Sequence, residues 1–161
     1  MSQKLDKIDL KILRALQDDA RITNLSLSEK VGLSASACLS RVQKLRDAGY
    51  IEREIGVIVP SKIGPVLHSL LEITLANHRL ADFKLFEQAI ARRPEITLAV
   101  KVSGRFDYLI AVTTRDMPSL NTLSDELLEA ELSIAKLVTI PILDVAKPFA
   151  GFPIEILHGS R

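Results

Sequence analysis

Residues 32–48, GLSASACLSRVQKLRDA, decide how the rest of this chain is read. Gly32 suits a tight turn, Ser34 a helix cap, and the residues after it a helix with two unlike faces. Cys38, Val42 and Leu45 fall at spacings of four and three, so they form one apolar stripe facing a small core. Arg41, Lys44 and Arg46 lie away from that stripe, and no acidic residue occurs between Ser34 and Arg46. The first turn carries only Ala35, Ser36 and Ala37. A helix small at its tip and basic along its flank can enter a major groove tip first, with its cations on the phosphates. Taken alone, an ordinary amphipathic helix with a solvated basic face is the better reading; the residues before it shift the balance.

Leu5, Ile8, Ile12, Leu13 and Leu16 recur at helical spacing behind Asp6 and Asp9, acids that suit a helix N-terminus. A second, shorter helix is expected from an Asn24 cap through Leu25, Leu27 and Val31, stopped by Gly32. Two helices joined across three or four residues with glycine at the turn make a helix-turn-helix. Gly49 ends the third helix, and YIEREIGV (50–57) alternates in the manner of a strand or wing. Pro60 and the Gly64-Pro65 pair mark 57–64 as a linker strand and hinge.

Beyond the hinge, 65–74 reads as a buried strand and 82–92 as a helix built on Phe83, Phe86, Ala89 and Ile90. Alternating Ile96, Leu98, Val100 and Val102 give a strand, Ser103-Gly104-Arg105 a turn, and 106–113 another strand. A helix over 117–132 and a strand over 134–145, disturbed at Pro141, complete a β-α-β-β-α-β order. The fold class is therefore α+β: a winged helix-turn-helix domain (1–56), the linker, a ferredoxin-like domain (65–148) and an unassigned tail (149–161). The open sheet face is apolar and calls for a second copy.

Composition bounds the function. Of 161 residues, 47% are hydrophobic and 25% charged, and the net charge is only +1, so bulk charge announces no nucleic acid. Residues 1–56 carry ten Lys/Arg against eight Asp/Glu, a weak basic excess beside the local cluster on the third helix. One cysteine excludes an internal disulfide. No apolar run is long enough to span a bilayer, and 1–6 lack the apolar stretch of a secretory signal, so a cytoplasmic protein without a membrane partner is expected. His68, His78 and His158 have no metal-ligand spacing with one another or with Cys38. No phosphate loop or nucleophile elbow occurs, so neither an enzyme, a metal nor a cofactor is expected.

The stretch from Leu5 to Ile51 resembles the N-terminal domain of the Lrp/AsnC (feast/famine) transcription regulators. The matching pieces are Leu5-Asp6, Ile8-Asp9, 16–19 (LQDD), Arg21-Ile22, 31–34 (VGLS), Cys38-Leu39 and Arg41-Val42. VSGRFDYLIAV (102–112) is similar to that family's turn between the second and third strands, with Gly104, Asp107 and Tyr108 in place. The resemblance covers 4–148. Two departures stand out: Arg105 replaces a frequent acid, and 132–135 (LSIA) replaces the usual Leu-Pro-Gly-Val.

Expected DNA contacts are Ser34, Ala35, Ser36, Leu39 and Ser40 toward base edges or methyls, with Arg41 and Lys44 on phosphates; Arg53, flanked by Glu52 and Glu54, is a weaker candidate. At the turn, free backbone N–H groups near Gly104 and the Arg105 guanidinium suit a carboxylate, and Asp107 suits an ammonium. The resemblance implies an effector, an amino acid by preference, held between subunits against Met117, Thr139, Ile140 and Pro141. It also implies homodimers assembling to tetramers or octamers on double-stranded DNA. The competing reading is an amino-acid-binding or metabolic module whose N-terminal helices serve assembly. On the residues alone, Asp107 capping the turn and Arg105 facing solvent remain the plainer roles.

Overall fold

In the computed structural model residues 5–159 are described, and they divide into two units: residues up to Val57 together with those from Lys147 on, and Ile58–Ala146.

The first unit holds helices α1 (Lys7–Asp18), α2 (Asn24–Val31) and α3 (Ala35–Asp47). Asp6 caps α1 by accepting from the Ile8 and Asp9 N–H groups, both at 2.8 Å, while the Asp9 carboxylate reaches back to the Asp6 N–H at 3.0 Å. This reciprocal box satisfies N–H groups that a helix start leaves without partners. Thr23, one residue before the expected Asn24, caps α2 by accepting from the Ser26 N–H at 3.1 Å. Asn24 instead donates to the Ala35 carbonyl at 2.9 Å, bracing the start of α2 against the start of α3.

Both helix ends that matter close in the same way. The Gly32 N–H donates to the Glu29 carbonyl (3.3 Å) and the Leu33 N–H to that of Ser28 (2.9 Å). At the end of α3 the Gly49 N–H meets the Arg46 carbonyl and the Tyr50 N–H that of Leu45, at 2.9 and 3.0 Å. Each closure needs one left-handed residue, and the two glycines supply it at φ 74° and 76°. The expected stripe is the core: Cys38, Val42 and Leu45 are buried with Ile12, Ala15, Leu27 and Val31. Burial pushes the Cys38 thiol up, so it stays protonated and inert.

Residues 51–59 take neither strand nor helix conformation, so the alternation read as a wing, and the strand expected in 57–64, are not realised as strands. An alternating pattern needs a hydrogen-bonding neighbour to become a strand, and no described strand pairs with it. Ile51 packs on the helical core, Glu54 accepts from Arg46 at 2.6 Å, and Pro60–Lys62 form one 3-10 turn.

The second unit is an antiparallel sheet in the order β2-β3-β1-β4, with β1 Leu67–Leu75, β2 Ile96–Lys101, β3 Tyr108–Thr114 and β4 Ile134–Pro141. Helices α4 (Leu80–Ile90) and α5 (Met117–Glu129) cover one face, the expected split βαββαβ arrangement. Leu71, Ile73, Leu75, Tyr108, Ile110 and Val112 point into that layer against Phe86, Ile90, Leu120, Leu123 and Leu127. Alternate residues Leu70, Leu109, Ala111, Val138 and Ile140 fall on the other face, beside Leu98 and Val100. Pro141 ends β4 instead of interrupting it: it still pairs opposite Ser69, and beyond it the Ile142 N–H donates to the His68 carbonyl.

The tail is not loose. A short helix, α6 (Ile154–Leu157), lies in the first unit against α1.

Candidate nucleic-acid interface and effector site

Schellman closure at Gly32 and the Ser34 cap set where α3 begins. The Ser34 Oγ accepts from the Ala37 N–H at 3.3 Å and lies 3.3 Å from the Ser36 Oγ, so its side chain is engaged in holding the helix start. Ala35, Ser36, Leu39, Ser40 and Lys44 are all exposed. Among the described residues Lys44 has no acidic partner, so its ammonium is available to a phosphate. Leu39 is 56% exposed, a large apolar side chain on an otherwise small polar surface, and suits a thymine methyl.

Arg41 takes a different place from the one expected. Its Nη1 donates to Asp6 at 2.7 Å and to Asp9 at 2.8 Å, crossing from α3 to the start of α1. These acids hold its guanidinium firmly protonated, and the backbone N–H of Asp9, with Arg41, holds the Asp6 carboxyl below its ordinary value. The helix spacing put Arg41 away from the apolar stripe; it could not show that two acids stood opposite. Arg53 is exposed on the irregular segment. Gln43, which the sequence reading passed over, lies between Leu39 and Asp47 on the outer face, and its amide donates to Asp47 at 2.7 Å. Its signal was available: a side chain suited to an adenine edge, one turn beyond Leu39.

At the other site the SGRFD turn is built as follows. Gly104 has φ 152°, at the edge of the region that favours glycine. Asp107 closes the end of β1: its Oδ2 accepts from the Leu75 N–H at 2.8 Å, and His78 Nε2 lies 2.9 Å from Oδ1. Tyr108 turns inward, its hydroxyl donating to Glu87 at 2.6 Å; burial first, and then Glu87, raise its ionisation well above the ordinary value. Arg105 is exposed and donates to Glu72 at 2.7 Å. Both charged side chains of the turn therefore have partners within the chain.

Met117 begins α5, and Thr139, Ile140 and Pro141 lie on β4. Thr139 and Pro141 pair opposite Leu71 and Ser69, whereas Asp107 donates its N–H to the Ile73 carbonyl near the far end of β1. Tyr108 to Thr114 runs the length of β3 between the turn and the Met117 end, about 20 Å at roughly 3.3 Å per residue. Within one chain the turn and Met117 therefore lie at opposite ends of β3, whereas Thr139 and Ile140 pair two and three residues along β1 from Ile73. Beside Thr113 and Arg115 a cleft of about 600 Å³ opens, lined also by Ile63, Pro65, Glu95 and Ser119. Among the described residues no cluster of acids, histidines or cysteine could hold a metal ion, and no helix is long and apolar enough to cross a membrane.

Two known families match successive parts of the chain. A winged helix-turn-helix DNA-binding family matches residues 5–52, and the Lrp/AsnC ligand binding domain matches 69–151. The leucine-responsive regulatory protein of Rhizobium meliloti is 40% identical over 116 residues, covering 72% of this chain and 74% of that protein. The transcriptional regulator AzlB of Bacillus subtilis is 32% identical over 155 residues, covering 96% and 99%. A crystal structure of a Neisseria meningitidis transcriptional regulator in complex with L-Met superposes with a TM-score of 0.89 at 27% identity, covering 95% of this chain and 99% of that one. With a helix-turn-helix at one end and this ligand-binding fold at the other, the chain belongs to the Lrp/AsnC family of transcription regulators.

Proposed function

We propose that the chain is a sequence-specific regulator that reads DNA with the exposed tip of α3 and responds to an amino acid. The observation that carries the first half is the acid-free surface of Ala35, Ser36, Leu39, Ser40 and Lys44, presented on a helix whose start is fixed by Gly32, Ser34 and Asn24. Ser36 and Ser40 face base edges, Ala35 and Leu39 face methyls, and Lys44 meets a phosphate. Ser34 and Arg41 hold the helix in place. The protein acts by binding and not by catalysis, and it works in the cytoplasm, where its DNA is.

The open sheet face supports a homodimer, since Leu70, Leu109, Ala111, Val138 and Ile140 form a patch that water covers poorly. Dimers then assemble to tetramers or octamers. Assembly also gives the effector its site. The turn at Gly104, Arg105 and Asp107 from one subunit meets Met117, Thr139, Ile140 and Pro141 from another. Backbone N–H groups and Arg105 take the carboxylate, Asp107 the ammonium, and Met117 with Ile140 an apolar side chain. An L-Met complex of a similar fold favours that chemistry.

Calorimetry of the intact protein against a panel of amino acids, with gel-filtration light scattering before and after, tests this reading. Saturable binding of one amino acid, a mass of at least two chains and a changed affinity for upstream DNA are expected. Binding of none, or a monomer at all concentrations, would overturn it.

A further inference from the structure

The first unit is assembled from two stretches far apart in sequence, and they meet on the outer side of α1. The Gln17 carboxamide brackets one residue of the tail: its Nε2 donates to the Phe152 carbonyl at 3.0 Å, and its Oε1 accepts from the Phe152 N–H at 2.8 Å. Both backbone groups of a residue that belongs to no sheet are thereby satisfied by one side chain. Arg14, one turn earlier on the same exposed face, pairs with Glu155 at the start of α6. Gly151 permits the approach. A Cβ at that position would lie 2.3–2.6 Å from the Gln17 side chain, and its φ of 101° already disfavours any other residue. Phe149 and Phe152 stack edge to face at 5.2 Å between centroids. An amide clamp, an ion pair and an obligatory glycine at one crossing point make a specific seat.

We propose that Gln17, Arg14 and Gly151 form a clasp that gives the DNA-binding unit a second tether, and that this tether sets which half-site spacings the regulator accepts. The chain leaves that unit at Val57 and returns to it at Lys147. On the first connection, from Val57 on, the described regular structure before β1 is the single 3-10 turn at Pro60–Lys62. A single covalent connection leaves a domain free to swivel about it, so it fixes spacing poorly. A second attachment, made on α1, removes much of that freedom. In a dimer, the distance and orientation between the two recognition helices decide the operator spacing. This role rests on the dimeric, DNA-reading function proposed above; the clasp itself does not.

The test uses the full chain and two variants, Gln17→Ala and Gly151→Val. Hydrogen exchange reports the clasp: amides over 149–158 should exchange slowly in the parent and markedly faster in both variants, with α2 and α3 unchanged. Binding to operators lengthened or shortened by two base pairs between half-sites reports the role. The parent should lose affinity at least several-fold on these operators, and the released variants should lose clearly less. Parent amides exchanging as fast as in an unstructured peptide would overturn the clasp. An equal spacing penalty in the parent and in a variant with a released tail would overturn its role. If the parent binds no DNA, the functional reading and the spacing role fall together, while the exchange data still decide the clasp.

Discussion

Replacing Arg41 by alanine separates a strut from a phosphate contact. The guanidinium joins two carboxylates of unequal setting: the Asp6 side chain is 49% exposed and that of Asp9 only 7%. The exposed pair contributes under about 1 kcal/mol after solvent screening. Asp9 is another matter, because its buried carboxylate would keep the Asp6 N–H but lose its charged donor. Leaving such a group short of a partner costs about 1–3 kcal/mol, toward the lower half here because Arg41 is itself a third exposed. A total near 2 kcal/mol follows, about 8–16 °C at roughly 4–8 °C per kcal/mol for a unit of this size. Hydrogen exchange of α1 and α3 amides against temperature measures it in the intact chain. Operator affinity should fall by a similar factor at every salt concentration, with the slope of log affinity against log salt unchanged. A slope reduced by about 0.9, as for one lost phosphate contact, with unaltered melting would refute the strut.

Asp107→Ala should orphan the Leu75 N–H and lower stability by about 1–2 kcal/mol, whereas Asp107→Asn keeps an oxygen for that N–H and should restore most of it. If Asp107 takes an effector's ammonium, calorimetry should show binding weakened in both variants; equal binding by Asp107→Asn and the parent would remove that role. Gly32→Ala meets no atom within 4 Å, so its cost is backbone strain alone, about 1–2 kcal/mol, and a thermal melt showing a much larger loss would mean the turn carries more than geometry. Acid should loosen the start of α1. The folded Asp6 carboxyl binds its proton less tightly than the unfolded one, so its stabilisation is complete above the ordinary value of 3.8 and fades as pH falls through the lower folded value. Protection of the α1 amides, taken relative to the intrinsic exchange rate at each pH, should therefore be flat above that value and fall below it; a fall already near neutral pH would assign the effect to another group.

What the sequence made legible followed from periodicity. The Cys38, Val42 and Leu45 stripe, the glycine ends of α2 and α3, and the β-α-β-β-α-β order rest on local spacing, and each is present in the fold. Partnership between distant residues was not legible. Arg41 looked free because Asp6 and Asp9 stand more than thirty positions away, and Gln17 gave no sign of meeting Phe152 across most of the chain. Alternation over 50–57 suggested a strand or wing; the winged helix-turn-helix class holds by the family match over 5–52, but the segment forms no strand, since a strand exists only where a neighbour accepts its hydrogen bonds. Asn24 and Thr23 are both good caps, and local chemistry alone could not choose between adjacent positions. At the SGRFD turn the sequence offered Arg105 and Asp107 to an effector and could not show their partners within the chain: Arg105 is engaged by Glu72, and Asp107 by Leu75 and His78.

The measurement closest to the central claim is operator binding by Ser36→Glu over a range of salt. Ser36 is exposed in the first turn of α3, where a carboxylate favours the helix dipole, so melting should be unchanged or slightly raised. In the DNA complex the same carboxylate would face the groove, and specific binding should be abolished at every salt concentration. Retained operator affinity in a variant that melts like the parent would show that the tip of α3 is not the reading surface.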